Sequence, residues 1–307
     1  MRTVWTMGFV AAAALSFAFP DFVVFQFTQA AIWALALVGL VLLCGVSGQF
    51  TFAQAALFGM GAYSAALIAT HTALPVLSAL LVAPVVGYAA GYGLGRVAGR
   101  HDLWTQALIG YALAIAFPQL LRWRVIEDWT GGVRGLYLDL PASPFAFLSD
   151  DRWLFLLSLA LLGVGAWLAA NMVDSRSGRA LRAVRDDDLA AAAQGIDVVA
   201  ARAVATGLAG GYLAVAGCLS AMQFGYVGPV AYNFALSVQM LFGLVVGGMN
   251  SIAGAIIGGL MLEFLPGIVA GLGKGLSAML YALLLIAAIV AMPNGIAGAL
   301  RRRIRSP

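Results

Sequence analysis

Residues 174–202, DSRSGRALRAVRDDDLAAAAQGIDVVAAR, form a charged, helix-prone segment between two strongly apolar stretches of the chain. We call this segment the island. The apolar sequence around it predicts helices embedded in lipid, because about 20 apolar residues are long enough to cross a bilayer. A membrane protein with one such segment on its cytoplasmic side is expected to use it to hold a soluble partner. The island therefore indicates an all-α membrane protein whose activity is powered by another protein.

The composition supports this fold class. Hydrophobic residues make up 63% of the 307 and charged residues only 10%, against about 45–50% apolar and about 25% charged in soluble domains. Because the apolar excess is spread along most of the chain, we predict one polytopic transmembrane helical bundle over residues 1–307, with about eight to ten spans. The net charge of +4 comes from arginines at the ends of apolar segments, so it indicates a bilayer rather than a nucleic acid as the partner.

Hydropathy and charge place the spans and their direction. The predicted spans are residues 4–20, 27–46, 51–70, 74–98, 103–122, 153–173, 202–223, 233–250, 254–271 and 276–292. The first could instead belong to a cleaved signal peptide, and the glycine-rich third and ninth could be re-entrant. Arginines of the island, of 96–100 and of the tail 301–305 fall on one side, which the positive-inside rule makes cytoplasmic. Both termini are then cytoplasmic, and the loop at about 123–152 is external.

Glycines recur four residues apart in several predicted spans. Gly87, Gly91 and Gly95 are one example, and this spacing is typical of helices that pack closely in lipid. Two glycine-rich stretches, 45–63 and 247–259, carry polar residues at the ends of apolar spans. We regard them as candidates for corresponding parts of two inverted halves.

The sequence lacks the patterns of catalysis and metal binding. It contains no HExxH or GxSxG motif and no Cys/His cluster with metal spacing, so we predict neither an enzyme nor a metal site. The stretch GLGKG at 271–275 fails the nucleotide-binding pattern, because Ile268 and Gly275 stand where Gly and Ser or Thr are needed. Glu263 is almost the only carboxylate within a predicted span. Ion-coupled transport is therefore disfavoured, and a secondary transporter and a membrane enzyme are kept as alternatives.

The island has the pattern of a small helical unit. Arg179, Arg182 and Arg185 are spaced three apart and share one side of a predicted helix. The acidic run 186–188 suits the N-terminus of a second helix over 189–193, and Gly195 suits its C-terminal end. We therefore predict two short helices with a turn. An ordinary basic loop that only fixes topology is the alternative.

Six stretches, taken in order along the chain, resemble one family of membrane proteins. They are GQFTFAQAALFGMGAYSAAL (48–67), RVAGRHDLWTQALIGYALA (96–114), TGGVRGL (130–136), SGRALRAVRDDDLAAAAQGIDV (177–198), VVGGMNSIAGAIIGG (245–259) and MPNGIAGALRRR (292–303). The set resembles the permease subunits, M-type above all, of branched-chain amino-acid ABC importers in the hydrophobic amino-acid uptake family. The chain departs from the family pattern at three positions: Gln54 replaces a usual histidine, Ala192 a frequent glutamate and Asn250 a common glycine.

This resemblance implies a multi-subunit machine in the bacterial inner membrane. The partners would be a homologous second permease, two ATP-binding cassette subunits and a periplasmic substrate-binding protein. The chain itself would hold no cofactor, since ATP and magnesium would be bound by the cassette subunits. The island would be the loop that the ATPases push, with the contact carried by Gly178, Arg179, Arg182, Arg185, Gly195 and Asp197.

The resemblance also directs attention to a substrate path. Such a path should be mostly apolar, with a few polar groups that replace part of the solute's hydration. In the two glycine-rich stretches these groups are Gln49, Thr51, Gln54, Tyr63, Asn250 and Ser251. Helix capping and interhelical hydrogen bonding are the alternative roles for each. The expected solute is a branched-chain or other hydrophobic amino acid, with urea, short amides or aromatic acids as alternatives.

Overall fold

A computed structural model describes residues 19–141, 143–144, 148–270, 295 and 298. The predicted span at 276–292, almost all of that at 4–20 and the arginines of the C-terminal tail lie outside the described residues. The predicted position of the two termini lies outside them as well.

The described chain is almost entirely helical. Its helices are α1 Asp21–Leu40, continued by a π-helix over Val41–Val46, α2 Gln54–His71, α3 Ala79–Ala98, α4 Leu103–Leu121, α5 Glu127–Thr130, α6 Asp150–Asp174, α7 Arg176–Asp186, α8 Asp188–Ala193, α9 Val198–Phe224, α10 Phe234–Gly247 and α11 Ile252–Ala270. Two short strands, β1 Leu136–Tyr137 and β2 Tyr226–Val227, pair antiparallel with Leu136 opposite Val227. Short 3-10 turns cover Val76–Ser78, Gly132–Arg134 and Pro229–Tyr232.

Five of these helical segments are long and apolar enough to cross a membrane. They are Asp21–Val46, Val76–Ala98, Leu103–Leu121, Asp150–Asp174 and Val198–Phe224. Each coincides with a predicted span, so the prediction of a transmembrane helical bundle is confirmed. The predicted span at 233–250 is shorter than expected. It is helix α10, whose 14 residues extend about 21 Å, less than the hydrocarbon thickness of about 30 Å.

Contacts between elements identify the two ends of the bundle. Helix α6 begins beside the start of α1, where Arg152 pairs with Asp21 at 3.4 Å, and it runs directly into the island. The strands β1 and β2 lie at the end opposite the island, where His71 at the end of α2 meets the Trp129 carbonyl. We call the two ends the island face and the strand face.

Helix α1 lies at the centre of the bundle. Residues 28–47 are all buried, because α1 packs against α6, α9, α10 and α11. This helix is apolar all round, as expected for one enclosed on every side.

The second central helix, α9, packs most extensively along α3. Gly87 and Gly91 face the backbone of Gly210 and Thr206 so closely that a side-chain carbon at either glycine would collide with a carbonyl. The prediction that the four-residue glycine spacing marks close helix contacts is therefore confirmed for this pair.

Two long helices are followed by segments that interrupt the α-helical structure of the bundle. Residues 47–53 follow α1 and residues 225–233 follow α9, and we call them the first break and the second break. Helix α1 packs along α11, and α9 packs along α3. The stretch 247–259 forms the tight turn between α10 and α11 and the start of α11. Its correspondence with 45–63 in two inverted halves stays a prediction.

Candidate functional site

The island folds as two capped helices, as predicted. The Ser175 hydroxyl accepts a hydrogen bond from the Gly178 amide at 3.2 Å and begins α7. The Asp187 carboxylate accepts from the Leu189 and Ala190 amides at 2.9 and 3.0 Å and begins α8. Gly195 follows α8 with φ +83°, a left-handed conformation that glycine adopts without strain. Asp197 accepts from the Ala200 amide at 2.9 Å and begins α9, so its role here is that of a helix cap.

The inner side of α7 is packed against the end of α6. Leu181 and Val184 are buried, and Gly178 is buried where a side-chain carbon would collide with the Met172 and Val173 carbonyl oxygens. Gly178 therefore lets α7 approach α6. It belongs to the base of the island rather than to its outer surface.

Three of the four arginines of α7 have different hydrogen-bond partners. Arg179 donates to the Asp174 carbonyl and Arg182 to the Val173 carbonyl, each at 3.1 Å. These carbonyls end α6, where positive charge is favourable. Arg185 turns the other way: its Nη1 atom donates to the Gly45 carbonyl and, at 3.1 Å, to Asn250 Oδ1.

A cleft of about 660 Å³ opens on the island face. It is lined by residues 100–104 between α3 and α4, by 184–188 at the junction of α7 and α8, and by 47–49 of the first break. Arg202 forms one wall through an ion pair with Asp188 at 2.5 Å and a hydrogen bond to the Gly99 carbonyl at 3.2 Å. The first break is therefore reached from the island face through a polar opening.

Gln49 anchors the first break to α9. Its Nε2 atom donates to Ser47 Oγ at 2.6 Å and to the Arg202 carbonyl at 3.1 Å, and its Oε1 atom accepts from Thr206 Oγ1 at 3.3 Å. The side chain is 4% exposed. All its polar atoms are thus engaged in holding irregular backbone inside the bundle, where free peptide groups are costly.

Ser237, in the first turn of α10, joins this helix to the first break and to the start of α2. The Ser237 hydroxyl donates to the Phe52 carbonyl at 2.6 Å and accepts from the Ala55 amide at 3.0 Å. The ring of Phe234 lies 5.2 Å from that of Phe52, measured between centroids. Sequence reasoning missed Ser237, although a serine within an otherwise apolar predicted span was an available signal.

A known protein family matches most of the chain. A family model described as the permease component of branched-chain amino acid transport systems matches residues 22–292. The chain belongs to this family. The family expected from the six stretches is thereby confirmed, and the protein is a multi-pass membrane permease.

Several characterised relatives are similar to this permease. The high-affinity branched-chain amino acid permease protein LivM of Salmonella typhimurium is 25% identical over 265 residues, which are 76% of this chain and 60% of LivM. BraD of Pseudomonas aeruginosa is 28% identical over 252 residues, 76% of this chain and 81% of BraD. LivH of Escherichia coli is 27% identical over 299 residues, 88% of this chain and 92% of LivH. The permease thus spans less than two thirds of the LivM relative. No solved structure matches it significantly.

The six predicted path residues of the permease do not converge on one place. Gln49, Thr51 and Gln54 lie together at the first break, where Gln54 Nε2 donates to the Thr51 carbonyl at 2.5 Å. Asn250 and Ser251 lie at the turn between α10 and α11 on the island face, Asn250 exposed and Ser251 accepting from the Gly254 amide at 3.4 Å. At the first break and at this turn, the side chains make helix-capping and interhelical hydrogen bonds. These bonds are the alternative role to contact with the solute.

Tyr63 lies further along α2 in an aromatic cluster of the permease. Its ring is 6.0 Å from that of Tyr232 in the second break and 6.3 Å from that of Phe117 in α4. Phe58 stacks on Trp33 of α1 at 5.7 Å. Among the described residues, the buried Tyr63 hydroxyl has no hydrogen-bond partner. Three or more His, Cys, Asp or Glu side chains that could hold a metal ion do not come together anywhere in the described residues.

Proposed function

We propose that this permease is a transmembrane subunit of an ATP-driven importer for branched-chain or other hydrophobic amino acids in the bacterial inner membrane. Its partners would be a second permease, two ATP-binding cassette subunits and a soluble substrate-binding protein. The observation that carries the proposal is the island. Its two capped helices lie at one end of the bundle, and its Arg185 is bonded to the end of the central helix α1, next to the first break.

The outer surface of the island supports docking of a soluble subunit. Leu189 on α8 is 83% exposed, and Ala192 and Ala193 beside it are exposed as well. Burial of an exposed leucine stabilises an interface by about 1.5–3 kcal/mol. Arg179 and Arg182 are exposed on α7 and keep donors for an acidic partner. Together with Gly195, which sets the exit from α8, they are the docking residues that we propose.

The proposal also gives the orientation of the bundle in the membrane. The island face would be cytoplasmic, in line with its arginines, and the strand face would be external. Both termini would then be cytoplasmic. Single cysteines at Ser177 on α7 and Asp139 on the strand face, in a chain without Cys44 and Cys218, should react with an impermeant reagent from opposite sides. Labelling of both from one side would contradict this topology.

The breaks and the aromatic cluster are the proposed route for the solute. Irregular backbone within a membrane protein is typical of places where a helix must open around a substrate. The cluster of Trp33, Phe58, Tyr63, Phe117 and Tyr232 beside the second break suits an apolar side chain better than urea or a short amide.

The test is uptake into proteoliposomes. The complete complex should accumulate a radiolabelled branched-chain amino acid when ATP and the binding protein are supplied. The permease alone should not accumulate it under a proton or sodium gradient. Robust gradient-driven uptake by the isolated permease would overturn the proposed function in favour of secondary transport.

A further inference from the structure

We propose that Arg185 is a positioning residue that transmits movement of the island to the first break, and that it is not a contact with the ATPase. This inference rests on the proposed function and changes the role expected for Arg185 from the sequence. The starting observation is that Arg179 and Arg182 bond to the end of α6, whereas Arg185 bonds to the membrane bundle beyond α6.

The two acceptors of Arg185 belong to two different membrane elements. The Gly45 carbonyl lies in the π-helical end of α1, immediately before the first break, and Asn250 lies at the turn between α10 and α11. A guanidinium carries its donors in a fixed planar arrangement, so its position is coupled to both acceptors at once. Short π-helical segments are often found at functional sites.

The acceptors are adjacent because Gly45 has no side chain. A side-chain carbon at Gly45 would collide with the Met249 carbonyl oxygen, which precedes Asn250 in the turn. The end of α1 and the α10–α11 turn therefore touch through their backbones, and Arg185 spans the seam between them. A displacement of Arg185 would act on both elements at the point where they meet.

The stem of Arg185 is also fitted to the first break. Gly48 has φ +69°, and a side-chain carbon built there would lie 2.6 Å from Arg185 Cγ. The backbone of the break is therefore in direct contact with the arginine stem. At its other end α7 is held to α6 through Arg179 and Arg182. When α7 tilts about that attachment, Arg185 must either carry the break with it or lose its bonds.

The experiment compares Arg185→Gln with Arg182→Gln in the complete complex in proteoliposomes. The two substitutions remove the same charge from one helix, one turn apart. For Arg185→Gln we expect normal retention of the ATPase subunits and ATP hydrolysis, with about fivefold or more fewer solute molecules imported per ATP, the size of a typical coupling effect. For Arg182→Gln we expect reduced retention of the ATPase and an unchanged number of solute molecules per ATP.

A second pair of variants displaces Arg185 without changing a charge. Gly48→Ala should lower the import per ATP in the same way, because the new methyl group collides with the arginine stem. Gly48→Asn is the control for backbone strain, since asparagine tolerates a positive φ but carries the same side-chain carbon that collides with Arg185 Cγ. It should lower import per ATP as much as Gly48→Ala, and normal import by Gly48→Asn would contradict the role of Arg185 by assigning the loss to strain.

Asn250→Ala gives an independent measure, since it removes one acceptor and leaves the island intact. If Arg185 acts through Asn250, the double variant with Arg185→Gln should import no less per ATP than Arg185→Gln alone. The inference is overturned if Arg185→Gln lowers ATPase retention as much as Arg182→Gln, or if its import per ATP equals wild type. Either result leaves the proposed function standing. That function fails only if the wild-type complex shows no ATP-dependent import.

Discussion

The first break and the second break are alike in position and different in how they are held. Both follow a long central helix, and α10, which follows the second break, bonds to the first break through Ser237. Directional polar bonds to the island hold the first, through Gln49 and through Arg185 on Gly45. The second begins at the pairing of β1 with β2 on the strand face and is packed by aromatic rings.

This difference predicts that the two breaks respond differently to movement of the island. Hydrogen bonds transmit a displacement along defined directions, whereas aromatic packing allows rings to slide past one another. We therefore expect the island to drive the first break directly and the second break to respond through Ser237. Variants at each point can separate the two.

The largest effect is expected where the end of α1 touches the α10–α11 turn. Gly45→Leu should abolish transport and sharply lower the yield of folded protein, because its side chain would have to displace the Met249 carbonyl and overpacking of this kind is strongly destabilising. Gly93→Leu is the control: Gly93 on α3 is exposed and has no neighbour within 4 Å of a new side-chain carbon. The yield of folded protein in gel filtration and the rate of uptake are measured for both variants. Normal uptake by Gly45→Leu would show that the end of α1 and the α10–α11 turn are not closely packed.

A smaller effect is expected at Ser237, where α10 bonds to the first break. Ser237→Ala leaves the Ala55 amide and the Phe52 carbonyl buried without their partner, which costs about 1–3 kcal/mol. Thermal unfolding in detergent should show a clear decrease in Tm together with slower uptake. Ser158→Ala is the comparison, because Ser158 is 1% exposed and its hydroxyl has no partner among the described residues. Equal Tm losses for both variants would remove Ser237 as a specific link.

The mildest effect is expected at the end of α8. Gly195 has φ +83° and no atom within 4 Å of a new side-chain carbon, so substitution there produces backbone strain alone. Gly195→Val should lower substrate-stimulated ATPase turnover of the complex, with a strain of roughly 1–2 kcal/mol. Gly195→Asn should be close to wild type, since asparagine tolerates this conformation. If valine and asparagine give the same turnover, the turn does not control docking.

The sequence predicted what depends on local pattern. Apolar length located the five spans, the run at Asp187 and the glycine at 195 located the island helices, and the spacing from Gly87 to Gly95 predicted that α3 packs closely on another helix. These features follow from the chemistry of a few neighbouring residues.

It could not predict which long-range partner each polar group would find. Arg182 and Arg185 lie one turn apart on α7, yet one bonds to α6 and the other to α1 and the α10–α11 turn. Periodicity gives the face of a helix and not the neighbour opposite it. For the same reason, the bond of Gln49 to α9 was not foreseen from the sequence, and its contact with solute stays a prediction.

The central claim is that the island is the docking surface for the ATPase. The most direct measurement is the amount of ATPase subunit that co-purifies with Leu189→Asp, which places a charge on the exposed apolar residue of α8. The control is Leu140→Asp, which is 56% exposed near the strand face. The account predicts roughly tenfold weaker ATPase binding for Leu189→Asp, equivalent to about 1.4 kcal/mol, and wild-type binding for Leu140→Asp. Wild-type ATPase binding by Leu189→Asp at normal membrane abundance would contradict it.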